Sequence, residues 1–293
     1  MLPEGNLVDA GGVDVFVHDR GRGPVALLLH GGAWGECART TWHSACASLV
    51  AAGYRVVAPD WVGFGGSDKV RDFTDLAGAM LRALGGALKA LRVDRVEVAV
   101  GLSMGGSHLL RDLTSPHPVI APRAAVLVAA GGEPIAPPLR ARLMDYDGSV
   151  ESMRAQVALA VADPGWADGS RPGAAQYVEQ RHRFSLAPGA YEWFASLALR
   201  SPAAPPPPAA DPTPYERVGV PVLLVEGELD RLKPAGWAAP VAARLPDARV
   251  VRIDGVGHLA PIEAPQAFES ALLAFLAEHP PRVGRAPVPQ EVR

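Results

Sequence analysis

Gly101-Leu102-Ser103-Met104-Gly105 follows an apolar, strand-like run at residues 96–100 and precedes a helix-like segment. In this context the G-x-S-x-G spacing forms a sharp, strained turn that lifts the serine hydroxyl clear of the sheet. Glycine is needed on both sides because side chains would collide across so tight a turn. The stretch therefore predicts a nucleophilic Ser103 between a strand and a helix. The alternative is an ordinary glycine-rich turn in which the serine caps the helix.

Strand-like and helix-like segments alternate on both sides of this turn. The strand-like runs lie at residues 13–19, 24–29, 54–60, 124–129, 220–225 and 248–253, and the helix-like stretches at 42–52, 74–91 and 265–278. Short apolar runs that alternate with helical segments are typical of parallel sheets covered on both faces. The pattern therefore predicts an α/β fold with a mostly parallel sheet and helices on both faces.

The alternation stops between residues 133 and 214. Helix-like pieces at 150–162 and 173–199 are followed by the proline-rich run PAAPPPPAADPTP. We interpret 133–214 as an inserted helical cap that divides the core into residues 1–132 and 215–279. The proline-rich tail at 280–293 is predicted to be disordered.

A nucleophilic serine needs a histidine to accept its proton and an acid to orient that histidine. In proteins with this strand–serine–helix turn, the three residues follow one another along the chain in the order serine, acid, histidine, each after a strand. Asp230 and His258 follow the last two predicted strands. Taken singly, Asp230 could be a turn residue and His258 a packed or capping histidine. Together they predict a Ser103–Asp230–His258 triad, with Glu133 as the reserve candidate for the acid.

The oxyanion formed during attack needs two backbone N–H donors. One comes from the residue after the nucleophile and the other from the loop after an earlier strand. Met104 and Gly32 occupy these positions, the second within His30-Gly31-Gly32. The alternative for Gly32 is a plain glycine turn, and His30 is expected to be structural.

Composition narrows the functional classes. The 293 residues carry a net charge of −3, so neither a nucleic acid nor a membrane partner is expected, and the predicted partner is a small molecule. The two cysteines are too few for a disulfide framework, and the start of the chain does not resemble a signal peptide, so a cytoplasmic location is predicted. No metal-ligand spacing and no dinucleotide fingerprint occur, so no metal or cofactor is expected. The sequence leaves open whether the protein forms a homodimer.

Five stretches, LLLHGGAWG, APDWVGFGGSDK, GLSMGG, GELDRLKP and GVGHLAPIEAPQAF, make the chain resemble the α/β-hydrolase superfamily outside the cap. The resemblance implies the α/β-hydrolase fold with an inserted helical cap. HGGAWG with Trp42, together with cap residues 177–184, further resembles the meta-cleavage product hydrolases, which split a C–C bond in vinylogous 1,5-diketones. Relatives that use an aspartate nucleophile are excluded, because Ser103 occupies that position.

The closer resemblance implies that Arg181 holds a substrate carboxylate, a role that suits the forked guanidinium. The alternative is a solvated arginine on a cap helix. Leu102 and Leu259 depart from the pattern, because those enzymes usually carry asparagine before the nucleophile and tryptophan after the histidine. The departures leave two reactions open, cleavage of an ester or of a C–C bond next to a ketone. A receptor-like, ligand-binding member of the fold remains the alternative to an enzyme.

Overall fold

The computed structural model describes residues 4–199 and 211–281. Within these residues, eight strands form one sheet. They are β1 Asn6–Asp9, β2 Asp14–Arg20, β3 Val25–Leu29, β4 Arg55–Pro59, β5 Val98–Leu102, β6 Ala124–Val128, β7 Val222–Gly227 and β8 Ala248–Ile253. Their order across the sheet is β1-β2-β4-β3-β5-β6-β7-β8.

The sheet is mostly parallel, as predicted. Only β1 and β2, and β2 and β4, pair antiparallel, whereas the strands from β4 to β8 pair parallel with their neighbours. Every residue of β3, β5, β6 and β7 is buried. Helices cover both faces of a parallel sheet, which explains why these strands are continuous apolar runs rather than alternating ones.

Twelve α-helices are present in the described part of the chain. They are α1 Ala38–Thr41, α2 His43–Ala51, α3 Leu76–Ala90, α4 Met104–Leu113, α5 Pro137–Met144, α6 Val150–Ala160, α7 Gly165–Asp168, α8 Ala174–Ser185, α9 Ala190–Ala195, α10 Ala238–Ala242, α11 Ala260–Glu263 and α12 Pro265–Glu278. α2 packs against α11 and α12, and α3 packs against α4. No helix in residues 4–199 or 211–281 is long and apolar enough to cross a membrane.

Helices α5 to α9 lie between β6 and β7, and we call this segment the cap. α6, α7 and α8 pack on one another, and α8 also contacts α1 of the core. The boundaries drawn at residues 132 and 214 stay predictions. Residues 200–210 of the proline-rich run and residues 282–293 of the tail lie outside the described residues.

The helix-like piece predicted at residues 173–199 is interrupted in the structure, where α8 ends at Ser185 and α9 begins at Ala190. Pro188 and Gly189 lie in the break, and Gly189 adopts a φ of 73°. Proline cannot donate the hydrogen bond of a helix interior, and a positive φ is incompatible with a right-handed helix, so the chain must turn here.

Candidate active site

Ser103 lies in the turn between β5 and α4. Its φ of 49° and ψ of −113° are rare for a residue with a side chain, and such strain is typical of functional positions. The Ser103 N–H donates to the Val128 carbonyl of neighbouring β6 at 2.8 Å, which anchors the turn to the sheet. The side chain is partly exposed.

The glycines that flank Ser103 are required by close backbone contacts. A Cβ added at Gly101 would lie 2.5 Å from the Gly106 Cα, and one added at Gly105 would lie 2.3 Å from the Leu29 carbonyl oxygen. Atoms this close would have to move apart. The collision at Gly101 lies across the turn, as the sequence predicts, whereas Gly105 is required by the close approach of the end of β3.

Gly32 and Met104 lie next to each other. A Cβ added at Gly32 would be 2.5 Å from the Met104 Sδ, so the loop after β3 reaches the first residue of α4. As that first residue, Met104 carries a backbone N–H that has no acceptor within its own helix. The structure therefore brings together the two residues proposed as oxyanion donors.

His30 holds the loop in shape. Its Nε2 accepts the Trp61 backbone N–H at 2.9 Å, and its Nδ1 lies 2.7 Å from the Gly31 carbonyl oxygen. Burial lowers the pKa of His30 to about 3, so the ring is neutral at pH 7. Both ring nitrogens serve the backbone, as expected of a structural histidine.

His258 and Asp230 form a buried pair, with 2.8 Å between the His258 Nδ1 and the Asp230 Oδ2. Asp230 Oδ1 accepts the Leu232 backbone N–H at 2.8 Å. Burial would raise the pKa of Asp230, but His258 and the Leu232 N–H outweigh it and hold that pKa below its usual value. Asp230 is thereby kept ionised beside the ring.

Glu133 does not reach His258 in this structure. Its side chain is exposed, and its backbone carbonyl accepts Lys233 Nζ at 2.8 Å. Ser103, Asp230 and His258 follow β5, β7 and β8, three strands that run parallel, so all three lie at the same edge of the sheet. Of the two candidate acids, the structure brings Asp230 to the histidine.

Arg181 is buried, with 2% of its surface exposed, so the solvated alternative is wrong. Its Nε donates to the Trp34 carbonyl at 2.7 Å and its Nη1 to the Tyr177 hydroxyl at 2.8 Å. Burial opposes its charge, but Tyr177 and Glu36 outweigh that effect and raise the pKa of Arg181. The arginine joins the cap to the loop that follows Gly32.

Two buried carboxylates near these loops escaped the sequence analysis. Glu36 accepts the Thr41 hydroxyl at 3.3 Å and lies against Gly31, where an added Cβ would be 2.7 Å from Glu36 Oε1. Glu263 accepts backbone N–H groups on both sides of His258. No local pattern distinguishes either residue from a surface glutamate, because the loops that bury them take their shape only in the folded chain.

Comparison with known proteins identifies the family of the chain. The model of the alpha/beta hydrolase family matches residues 26–271. The chain belongs to this family. The α/β-hydrolase is 32% identical over 209 residues to the 2-hydroxy-6-oxo-2,4-heptadienoate hydrolase of Pseudomonas putida, covering 66% of this chain and 67% of that one.

Other relatives match over more of their length. The α/β-hydrolase is 28% identical to the 2-hydroxy-6-oxo-6-(2'-aminophenyl)hexa-2,4-dienoic acid hydrolase of Metapseudomonas resinovorans, covering 92% of this chain and 90% of that one. A solved serine hydrolase involved in carbazole degradation is 27% identical, with a TM-score of 0.75 and coverage of 94% and 98%. The relatives are C–C bond hydrolases, as the resemblance implied, and the chain is a hydrolase of this fold.

In the described residues, no group of three histidine, cysteine or acidic side chains could hold a metal ion. Cys37 and Cys46 are buried free thiols, and burial, with Asp60 nearby, raises the pKa of Cys37 to about 12. A thiol with so high a pKa is a poor nucleophile at pH 7.

Proposed function

We propose that this α/β-hydrolase is a serine hydrolase whose nucleophile is Ser103. His258 is the general base, and Asp230 holds the ring in the tautomer whose free Nε2 can accept the serine proton. The observation that carries the proposal is the 2.8 Å hydrogen bond between His258 and a buried Asp230 at the sheet edge that also bears the strained Ser103 turn.

The reaction has two halves. Ser103 Oγ attacks the substrate carbonyl carbon while His258 takes its proton, and the backbone N–H groups of Met104 and Gly32 stabilise the oxyanion. When the tetrahedral intermediate collapses, the leaving group keeps the electron pair of the broken bond and takes the proton from His258. Water, activated by the same histidine, then hydrolyses the acyl ester on Ser103.

We propose a C–C bond next to a ketone, in a small dienoate with a carboxylate, as the bond that is cleaved. The two relatives described above are hydrolases of 2-hydroxy-6-oxo dienoates. In such a substrate the departing carbon can share its negative charge along the conjugated chain, so a carbon leaving group becomes feasible. A dienoate of this kind is a small molecule, as are the substrates named for both relatives.

Arg181 is the group proposed to bind that carboxylate. Its two protein hydrogen bonds use two of the five N–H donors of a guanidinium, which leaves three for a ligand. No carboxylate forms a hydrogen bond or an ion pair with Arg181 in the part of the chain that the structure describes, although Glu36 lies close enough to favour its charge. A buried cation with unused donors suits an anionic substrate.

Ester hydrolysis is the second candidate. Leu102 and Leu259, both buried, stand where the C–C hydrolases usually carry asparagine and tryptophan. A solved esterase from Exiguobacterium antarcticum shares the fold at 19% identity, with a TM-score of 0.75 and coverage of 93% of this chain and 99% of that one. A receptor-like protein with low turnover is the third reading, and the paired His258 and Asp230 count against it. A cytoplasmic location and a homodimer stay predictions.

The test is a substrate panel that pairs neutral aryl esters with a carboxylate-bearing dienoate diketone. We expect a higher kcat/KM for the diketone than for the aryl esters. We also expect a fluorophosphonate to label the protein stoichiometrically. A higher kcat/KM for the esters would indicate that the protein is an esterase. Binding of the diketone without turnover of either substrate would favour the receptor-like reading.

A further inference from the structure

Glu263, the last residue of α11, is a buried carboxylate whose hydrogen bonds, among the described residues, all come from backbone N–H groups. Oε1 accepts the N–H groups of Gly257 at 3.1 Å and Leu259 at 3.2 Å, and Oε2 accepts the Ala162 N–H at 2.7 Å. The first two belong to the loop that carries His258, whereas Ala162 belongs to the cap. One side chain thus joins the two segments.

The N–H of His258 itself completes the junction. It donates to the carbonyl of Ala160, the last residue of α6, at 2.7 Å. The backbone N–H groups of three successive residues, 257 to 259, are therefore held alternately by Glu263 and by the cap. Gly257 allows the close approach, since an added Cβ would lie 2.6 Å from the Ala160 carbonyl oxygen.

We propose that Glu263 is a positioning residue that fixes His258 to the cap, so that seating of the cap and placement of the general base are coupled. The inference rests on the proposed role of His258. Asp230 orients the ring through Nδ1, but it cannot fix the backbone from which the ring projects. Glu263 supplies that second constraint through the backbone N–H groups on either side of His258.

The carboxylate is suited to this task by its symmetry. Both of its oxygens accept hydrogen bonds, so it can serve the loop and the cap together. Burial raises the pKa of Glu263, while the three N–H groups counter this by favouring the ionised form. A glutamine of the same shape has one accepting oxygen, so its amide nitrogen would face an N–H on one side and break that contact.

Glu263→Gln is the test, and Asp112→Asn is its matched control. Asp112 is also buried and also accepts three backbone N–H groups, those of Val119, Ile120 and Ala121, but it holds the loop before β6. Both variants lose the same kind of contact. A purely structural role would therefore lower the melting temperature of both and leave kcat unchanged at a temperature well below unfolding.

We expect Glu263→Gln to lower kcat for the preferred substrate about 10- to 100-fold, with KM within about threefold, because a small misplacement of a catalytic group is costly. The rate of fluorophosphonate labelling of Ser103, which also needs His258, should fall in parallel. Asp112→Asn should keep kcat within about twofold of wild type.

Equal kcat values in Glu263→Gln and Asp112→Asn would overturn the proposal while leaving the role of Ser103 intact. Circular dichroism shows whether each variant is folded, and the final extent of fluorophosphonate labelling of Ser103 gives the concentration of folded enzyme in each sample. If Glu263→Gln does not fold, Glu263→Asp replaces it, since the shorter carboxylate cannot span from the loop to the cap. A wild-type kcat in Glu263→Asp would equally contradict the coupling.

Discussion

At the scale of single residues, Asp230 and Glu133 offer the clearest contrast, because both are carboxylates that follow strands of the same sheet. Only Asp230 contacts His258, at 2.8 Å. Asp230→Asn should lower kcat/KM by roughly 10³- to 10⁴-fold, since the amide no longer holds the ring in its working tautomer or stabilises the imidazolium. Glu133→Gln should stay within about twofold, because its exposed side chain serves no group of the site. Steady-state kinetics that gave the reverse ranking would assign the acid to Glu133.

Arg181 has two roles that one experiment can separate. It ties the cap to the Trp34 carbonyl, so Arg181→Ala is expected to lower activity on every substrate to some degree. Loss of a charge-assisted contact to a substrate carboxylate should cost a further 2–4 kcal/mol, roughly, or about 30- to 1000-fold in kcat/KM, on the diketone alone. The ratio of diketone to aryl-ester kcat/KM is therefore the decisive quantity.

Arg183→Ala is the control, because Arg183 lies on the same helix with its side chain exposed. It should leave that ratio unchanged. An unchanged ratio in Arg181→Ala as well would mean that the arginine is only a structural tie and would favour the ester reading.

The residues found from sequence and those missed differ in where their partners lie. The turn at Ser103 and the loop at Gly32 are local patterns in which close backbone contacts require glycine. Both can therefore be predicted from a few adjacent residues. The burial of Arg181 and the contact between Glu263 and Ala162 depend on atoms far away in the chain. Their sequence surroundings carry no trace of those contacts.

At the scale of elements, α4 contains a histidine that makes its packing sensitive to pH. The His108 ring meets Trp61 edge to face at 5.1 Å, and its Nε2 is buried without a hydrogen-bond partner among the described residues. Burial, aided by Arg111, lowers the pKa of His108 to about 4. In the unfolded chain His108 therefore binds a proton near pH 6.5, whereas in the folded chain it does so only near pH 4. The free energy of unfolding therefore falls as the pH drops from about 6.5 to about 4.

His108→Phe removes this proton linkage and keeps an aromatic ring against Trp61. Between pH 7 and pH 5, the free energy of unfolding of the wild type should fall by roughly 1–2 kcal/mol more than that of the variant. Urea unfolding at the two pH values measures both. Parallel pH dependence in the two proteins would show that His108 is readily protonated in the folded state.

Long apolar elements can be predicted from the sequence, and the shortest elements cannot. β3, β5, β6 and β7 are apolar runs because helices cover both faces of the sheet, and this composition identifies them. β1 has four residues, none of them fully buried, so it lacks such a signal. α7, α10 and α11 have four or five residues, too few to show helical periodicity.

At the scale of the whole molecule, the two parts of the core flank the cap in sequence, and the proposed catalytic residues come from both. Ser103 and Gly32 precede the cap, whereas Asp230 and His258 follow it. The parallel order of β5 to β8 is what brings these segments to one edge. Substrate identity is not encoded at this scale, because one fold supports many reactions.

The central claim is that Ser103 is the attacking nucleophile, and kcat for Ser103→Ala on the preferred substrate of the panel tests it most directly. Ser107→Ala is the control, since this exposed serine lies one turn further along α4, where its hydroxyl donates to the Ser103 backbone carbonyl at 3.1 Å, and its loss should keep kcat within about twofold of wild type. We expect Ser103→Ala to lower kcat on the order of 10³-fold or more, with an unchanged circular dichroism spectrum. Residual kcat above about one tenth of wild type in a folded Ser103→Ala protein would contradict it.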